Sequence, residues 1–161
     1  MAAEQRPATE AARIADQLHR ALHAKAWHGP ALLEILTDVD APTAAAHPIK
    51  NAHSIWEIVN HVHAWTGAIR RRIRLEVVEL ENEADWPPVA DKSFAAWKRT
   101  IESLTKEHDT LEREVAVLTD EQLAANIPNR NHNVWATLHG AVQHDLYHAG
   151  QIVILKKAAR A

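Results

Sequence analysis

The chain has 161 residues, 47% hydrophobic and 24% charged, with a formal net charge of -3. That length and balance fit a single globular domain over residues 1–161, and the mild negative charge offers no basic footprint for nucleic acid. Cysteine is absent, which excludes disulfides, chain thiolates and sulfur-ligated zinc, so any metal must be held through nitrogen and oxygen.

The opening segment, MAAEQRPATEAAR, lacks the apolar core of a leader, and no apolar run reaches the roughly 18 residues of a membrane span. A cytoplasmic protein without a membrane partner is expected. A first helix is predicted from near Thr9 to about Ala26, with Ile14, Leu18 and Leu22 recurring every four residues. Trp27-His28-Gly29-Pro30 breaks it, and Pro30 suits the first turn of a short helix through Leu36. The stretch from Asp40 to Lys50, with Pro42 and Pro48, reads as a loop.

Ser54-Ile55-Trp56-Glu57 is a capping-box signature. The second long helix is predicted from there to about Asn82, burying Ile55, Ile58, Val62, Trp65, Ile69, Ile73 and Leu80. Within it, Arg70, Arg71, Arg72 and Arg74 precede Glu76, Glu79, Glu81 and Glu83, which reads as a solvated face with local ion pairs. Trp86-Pro87-Pro88 ends the connection. A third long helix is expected from near Asp91 to about Val117, then a short turn capped by Thr119 with Gln122. Asn126 to His132 reads as a loop, and Asn133 caps a last helix running to about Lys157. With four glycines, no period-two alternation and no Asn-Gly turn, strands have no support. The expected fold is all-α, an antiparallel four-helix bundle with short extra helical turns. His53-Ser54-Ile55-Trp56 echoes His132-Asn133-Val134-Trp135, which fits either two related hairpins or a chance match.

Twelve histidines and six tryptophans are many for this length, and the histidines sort by helical phase. His144 and His148 are four apart and share a face with Ala141, Gln151, Ile152 and Leu155, so both rings point into the bundle. His61 borders the buried stripe of the second long helix beside Ile58 and Trp65, whereas His63 lies about 160° away from it, and His139 lies about 140° from His144. The spacing therefore offers His61, His144 and His148 as a three-histidine metal site. Core histidines satisfied by ordinary hydrogen bonds are the alternative. His19 and His23 form a second pair at the same spacing, on the boundary of the first helix. Asp145 follows His144, so there is no HExxH, and Glu-x-x-His spacing does not recur as di-iron bundles require. Glu57 and Gln151 are candidates to orient the ring nitrogens that face away from a metal. Asp145 reads as a surface or interhelix residue, Trp56, Trp65 and Trp135 as core, and Tyr147 as either core or pocket.

The segments Ala52-His53-Ser54-Ile55-Trp56-Glu57-Ile58-Val59-Asn60-His61 and Leu138-His139-Gly140-Ala141-Val142-Gln143-His144-Asp145-Leu146-Tyr147-His148-Ala149-Gly150-Gln151-Ile152 resemble the DinB/YfiT-like family. That resemblance implies a four-helix bundle, often a homodimer, with one divalent metal ion held by a histidine of the second helix and a His-x3-His pair of the last. His61, His144 and His148 occupy those positions. Relatives include thiol-dependent transferases and isomerases that use low-molecular-weight thiols.

Three imidazoles leave at least one open position on zinc, and more on nickel, iron or manganese; zinc or nickel is expected, with iron or manganese as further options. An open position suits activation of water or of a thiol. The expected protein is thus a metal-dependent hydrolase or a thiol-using transferase acting on a small-molecule substrate. The opposing reading is a non-catalytic dimer with a structural metal.

Overall fold

The computed structural model describes residues 8–160. Residues 1–7, part of the segment read as lacking a leader, and residue 161 lie outside it. Among the described residues the chain forms seven α-helices: α1 (Glu10–Leu22), α2 (Leu32–Leu36), α3 (Ala41–Ala45), α4 (Ile55–Arg72), α5 (Phe94–Ala116), α6 (Asp120–Ala124) and α7 (Val134–Ala158). A 3-10 turn spans Asn82–Ala84, and an isolated bridge pairs Asn126 with Asn133; no strand forms among these residues. None of the described helices is long and apolar enough to cross a membrane.

Side chains fix the helix starts. Thr9, Asp40, Ser54, Ser93, Thr119 and Asn133 each accept a hydrogen bond from a first-turn backbone N–H, satisfying donors that the helix itself leaves open. At α4 the box is reciprocal: Ser54 Oγ accepts from Glu57 N, and Glu57 Oε2 accepts from Ser54 N at 2.7 Å.

Three expected boundaries are corrected. The first helix ends at Leu22 rather than Ala26, because Lys25 turns to a positive φ of 64°. The stretch read as loop from Asp40 to Lys50 holds α3, with Asp40 as cap and Pro42 in the first turn, where a missing N–H costs nothing. The largest change is at α4, which stops at Arg72 rather than Asn82. Leu75 N–H bonds to the Arg72 carbonyl and Glu76 N–H to the Arg71 carbonyl, with Leu75 left-handed at φ 62°. That is a Schellman closure built on leucine. Leu80 is therefore not part of the helical stripe, and residues 73–93 form a connection that turns back along the bundle.

The four long helices meet in a ring, α1 against α5 and α7, and α4 against the same two. Their buried residues form two apolar clusters. One holds Leu22, Ile58, Val62, Leu104, Ala149 and Ile152. The other holds Leu18, Ile69, Leu111, Leu138 and Ala141. Along α7 the sequence passes from Ala141 of the second cluster through His144, Asp145 and His148 to Ala149 of the first. On α5 His108 lies likewise between Leu104 and Leu111. A polar layer therefore crosses the middle of the bundle, and it contains His61, His108, Asp145 and His148, all buried.

Candidate metal centre

In this layer α4 and α7 bring three imidazoles to one point. Nε2 of His144 lies 3.1 Å from Nε2 of His61 and 3.1 Å from Nε2 of His148. His61 and His148 are buried and His144 is half-buried. Burial, and then the neighbouring His148, pulls His144 down to about 4. Burial also lowers His61, against the opposing pull of Asp85, and lowers His148, against that of the Gln151 hydrogen bond. All three rings are neutral near pH 7.

The outward nitrogens identify the tautomers. Nδ1 of His61 is 2.7 Å from the Asp85 carbonyl oxygen and 3.1 Å from Asp85 Oδ1, both acceptors. Nδ1 of His148 is 2.7 Å from Gln151 Oε1, whose amide is oriented by donation from Nε2 to the Tyr147 hydroxyl. Each Nδ1 therefore carries the proton, and each Nε2 presents a lone pair. His144 brings at most one N–H to Nε2 and cannot satisfy both neighbours. A Lewis acid at the convergence point satisfies all three nitrogens at once. The 3.1 Å separations are close to the roughly 3.3 Å between nitrogens in a tetrahedral zinc site with bonds of about 2.0–2.1 Å. The donor set is thus compatible with a divalent ion.

Two residues that the sequence reading did not single out for this site, Asp85 and Trp86, complete it. Asp85 accepts from His61 and, through Oδ1, from Trp65 Nε1 at 2.6 Å. Trp86 stacks on His61 with centroids 3.9 Å apart and an interplanar angle of 12°, and His53 stacks on Trp86 at 3.6 Å and 5°. The one sequence signal for them is an aromatic residue beside two prolines in the connection between α4 and α5.

The other candidates fall elsewhere. Gln151 accepts from His148 Nδ1, whereas Glu57 serves Ser54 and His47 and does not reach His61. His63 is half-buried and lines a separate cleft with Trp56 and Asn60. His139 packs against Trp135 and approaches Glu10 at 3.6 Å. Asp145 lies between helices, 2.9 Å from His108 Nε2. His19 and His23 do stack, at 4.6 Å, but each already meets a carboxylate of α5, Glu112 at 3.1 Å and Asp109 at 2.6 Å. No lone-pair conflict demands an ion there. Of the tryptophans read as core, Trp56 is buried, Trp135 is 44% exposed, and Trp65 lines a cavity.

That cavity, of about 600 Å³, has His144 and Trp65 in its wall. His144 is therefore the histidine reached from outside, while Trp86 and Asp85 cover His61. The sequence echo between His53–Trp56 and His132–Trp135 extends to the caps Ser54 and Asn133 but not to packing, since Trp56 is buried and Trp135 is not.

No curated protein and no solved structure matches the chain. The sequence model of the DinB superfamily matches residues 25–152, a span that runs from just after α1 through all three histidines. The chain belongs to the DinB superfamily.

Proposed function

We propose that the chain binds one divalent metal ion through His61, His144 and His148 and acts as a metal-dependent hydrolase or low-molecular-weight-thiol-dependent transferase. The observation that carries this reading is the convergence of three neutral Nε2 atoms beside an open cavity. When bound, such an ion supplies Lewis-acid activation of water or a thiol near neutral pH. The chain does the rest. Asp85 and Gln151 keep the protons of His61 and His148 on Nδ1, so that Nε2 stays free. Trp86 covers the His61 ring and excludes water from that side, and the cavity leaves approach along His144.

A structural metal, the competing reading, wants a closed shell of four protein ligands. Among the described residues the convergent group has three members, and this favours the catalytic reading. Zinc or nickel suits three imidazoles, with iron or manganese as further options.

Metal analysis of untagged protein should find about one divalent ion per chain. His148→Ala should lose it, while His63→Ala and the His19→Ala/His23→Ala pair should keep it. Stoichiometric metal in His148→Ala would sink the site. A screen for consumption of free thiol across electrophilic substrates, with metal-stripped protein as control, then separates thiol transfer from hydrolysis.

A further inference from the structure

The arginine run at the end of α4 does not behave as a uniformly solvated face. Arg70 bonds Glu107 and Glu114 of α5, Arg74 bonds Glu114, and Arg71 bonds Glu76. Arg72 differs. It is only 6% exposed, and its Nε and Nη2 both donate to one backbone oxygen, that of Val78, at 3.2 and 2.8 Å. Among the described residues no carboxylate pairs with it. Its guanidinium lies 5.0 Å from the centre of the Trp65 ring. Burial, then the neighbouring Arg130, pulls its pKa below the usual arginine range, against the opposing pull of Glu79.

A buried guanidinium with no carboxylate in contact is costly unless something pairs with it, and a bound anion would supply that pairing. Arg72 stands in the wall of the same 600 Å³ cavity that reaches His144. Trp65 touches both ends, its ring 5.8 Å from the His144 ring. The wall between them is largely apolar, formed by Ile69, Ala136 and Ala141. Arg130 also lines the cavity, but Glu79 already pairs with it. The charge left to balance is therefore one. Two donor positions of Arg72 are taken by Val78, and among the described residues its remaining N–H groups have no hydrogen-bond partner, which leaves them to an oxyanion.

We propose that this cavity binds a small organic monoanion, a carboxylate with an apolar body, whose carboxylate pairs with Arg72 and whose far end lies beside His144. The placement of the far end rests on the metal-dependent function proposed above, whereas anion binding at Arg72 does not.

The test uses metal-stripped, full-length protein, so that a carboxylate cannot report on the metal instead. Calorimetric titration compares 4-phenylbutyrate, its neutral amide and 2-phenylethyl phosphate. The carboxylate should bind at least ten-fold more tightly than the amide, and at least as tightly as the phosphate. Arg72→Gln should bring carboxylate and amide to equal affinity. A Cβ at Gly140, also in the cavity wall, meets nothing within 4 Å, so Gly140→Leu adds bulk to that wall with no clash at Cβ and should weaken both the carboxylate and the amide. Should Arg72→Gln fail to fold, the wild-type comparison and Gly140→Leu still decide. Equal affinity for carboxylate and amide in the wild type, an unchanged preference in folded Arg72→Gln, or unchanged binding in Gly140→Leu overturns the proposal. A clear preference for the phosphate overturns the monoanion. Metal content, measured separately, stands or falls independently of these results.

Discussion

Each buried histidine of the centre has its outer nitrogen occupied, and by a different kind of acceptor. His61 uses the Asp85 carbonyl, a backbone atom that no substitution removes, whereas His148 uses the Gln151 side chain. Gln151 is thus the accessible lever. Gln151→Leu removes the acceptor that keeps the proton on Nδ1 and should weaken metal affinity by about 10–100-fold. Competition with a chelator of known affinity measures this, and an unchanged affinity would remove Gln151 from the site. The same rings set a pH dependence in the metal-free chain. An unfolded histidine titrates near 6.5, whereas folded His144 is held at about 4 by burial and by His148. Between those values the unfolded chain binds more protons, so stability is full above about pH 6.5 and falls as pH drops towards 4. His61 and His148 are lowered too and act in the same sense. The melting temperature of metal-stripped protein should fall across that window, and His144→Gln should show a shallower fall.

Helix ends, more than helix cores, decide where the site residues come together. Had α4 continued to Asn82, Asp85 would lie roughly 30 Å along the axis from His61. The Schellman closure at Leu75 returns the chain instead. A left-handed non-glycine residue costs about 1–2 kcal/mol, and Leu75 is 46% exposed, so little packing offsets that cost. Leu75→Gly should raise stability by about 1 kcal/mol, partly offset by the greater freedom of glycine in the unfolded chain. Chemical denaturation would read this as a higher midpoint at unchanged slope, and a loss of stability would mean that Leu75 packs more than its exposure suggests. This boundary also marks the limit of what the sequence discloses. The starts of α4 and α7 are legible because Ser54 with Glu57 and Asn133 carry their signal locally, and the phase of His61, His144 and His148 follows from helix geometry. The end of α4 is hidden because Ile73 and Leu80 prolong the apolar period beyond the true stop. Asp85 and Trp86 are hidden because their contacts depend on the path of a connection, and Arg72 because burial inside an arginine run leaves no local trace.

At the scale of the whole molecule, a polar layer contributed by α4, α5 and α7 lies between the two apolar clusters, while α1 runs past it on Leu18, Ala21 and Leu22. His108 and Asp145 bind each other across it, but His61, His144 and His148 face one another with more lone pairs than protons. An ion bound there ties α4 to α7 at mid-height, and its binding free energy adds to folding because the unfolded chain has no assembled site. At a free concentration about 1,000 times the dissociation constant, the gain is about 4 kcal/mol. For a chain of this size that amounts to about 8–16 °C in melting temperature. Stripping the metal should lower the melting temperature by that order, and adding zinc or nickel back should restore it. His148→Ala should start near the stripped value and respond to neither treatment, which separates the site from metal bound at the surface. A wild-type melting temperature indifferent to chelation would mean that the layer is held by hydrogen bonds alone. The three histidines would then be core residues satisfied by ordinary hydrogen bonds.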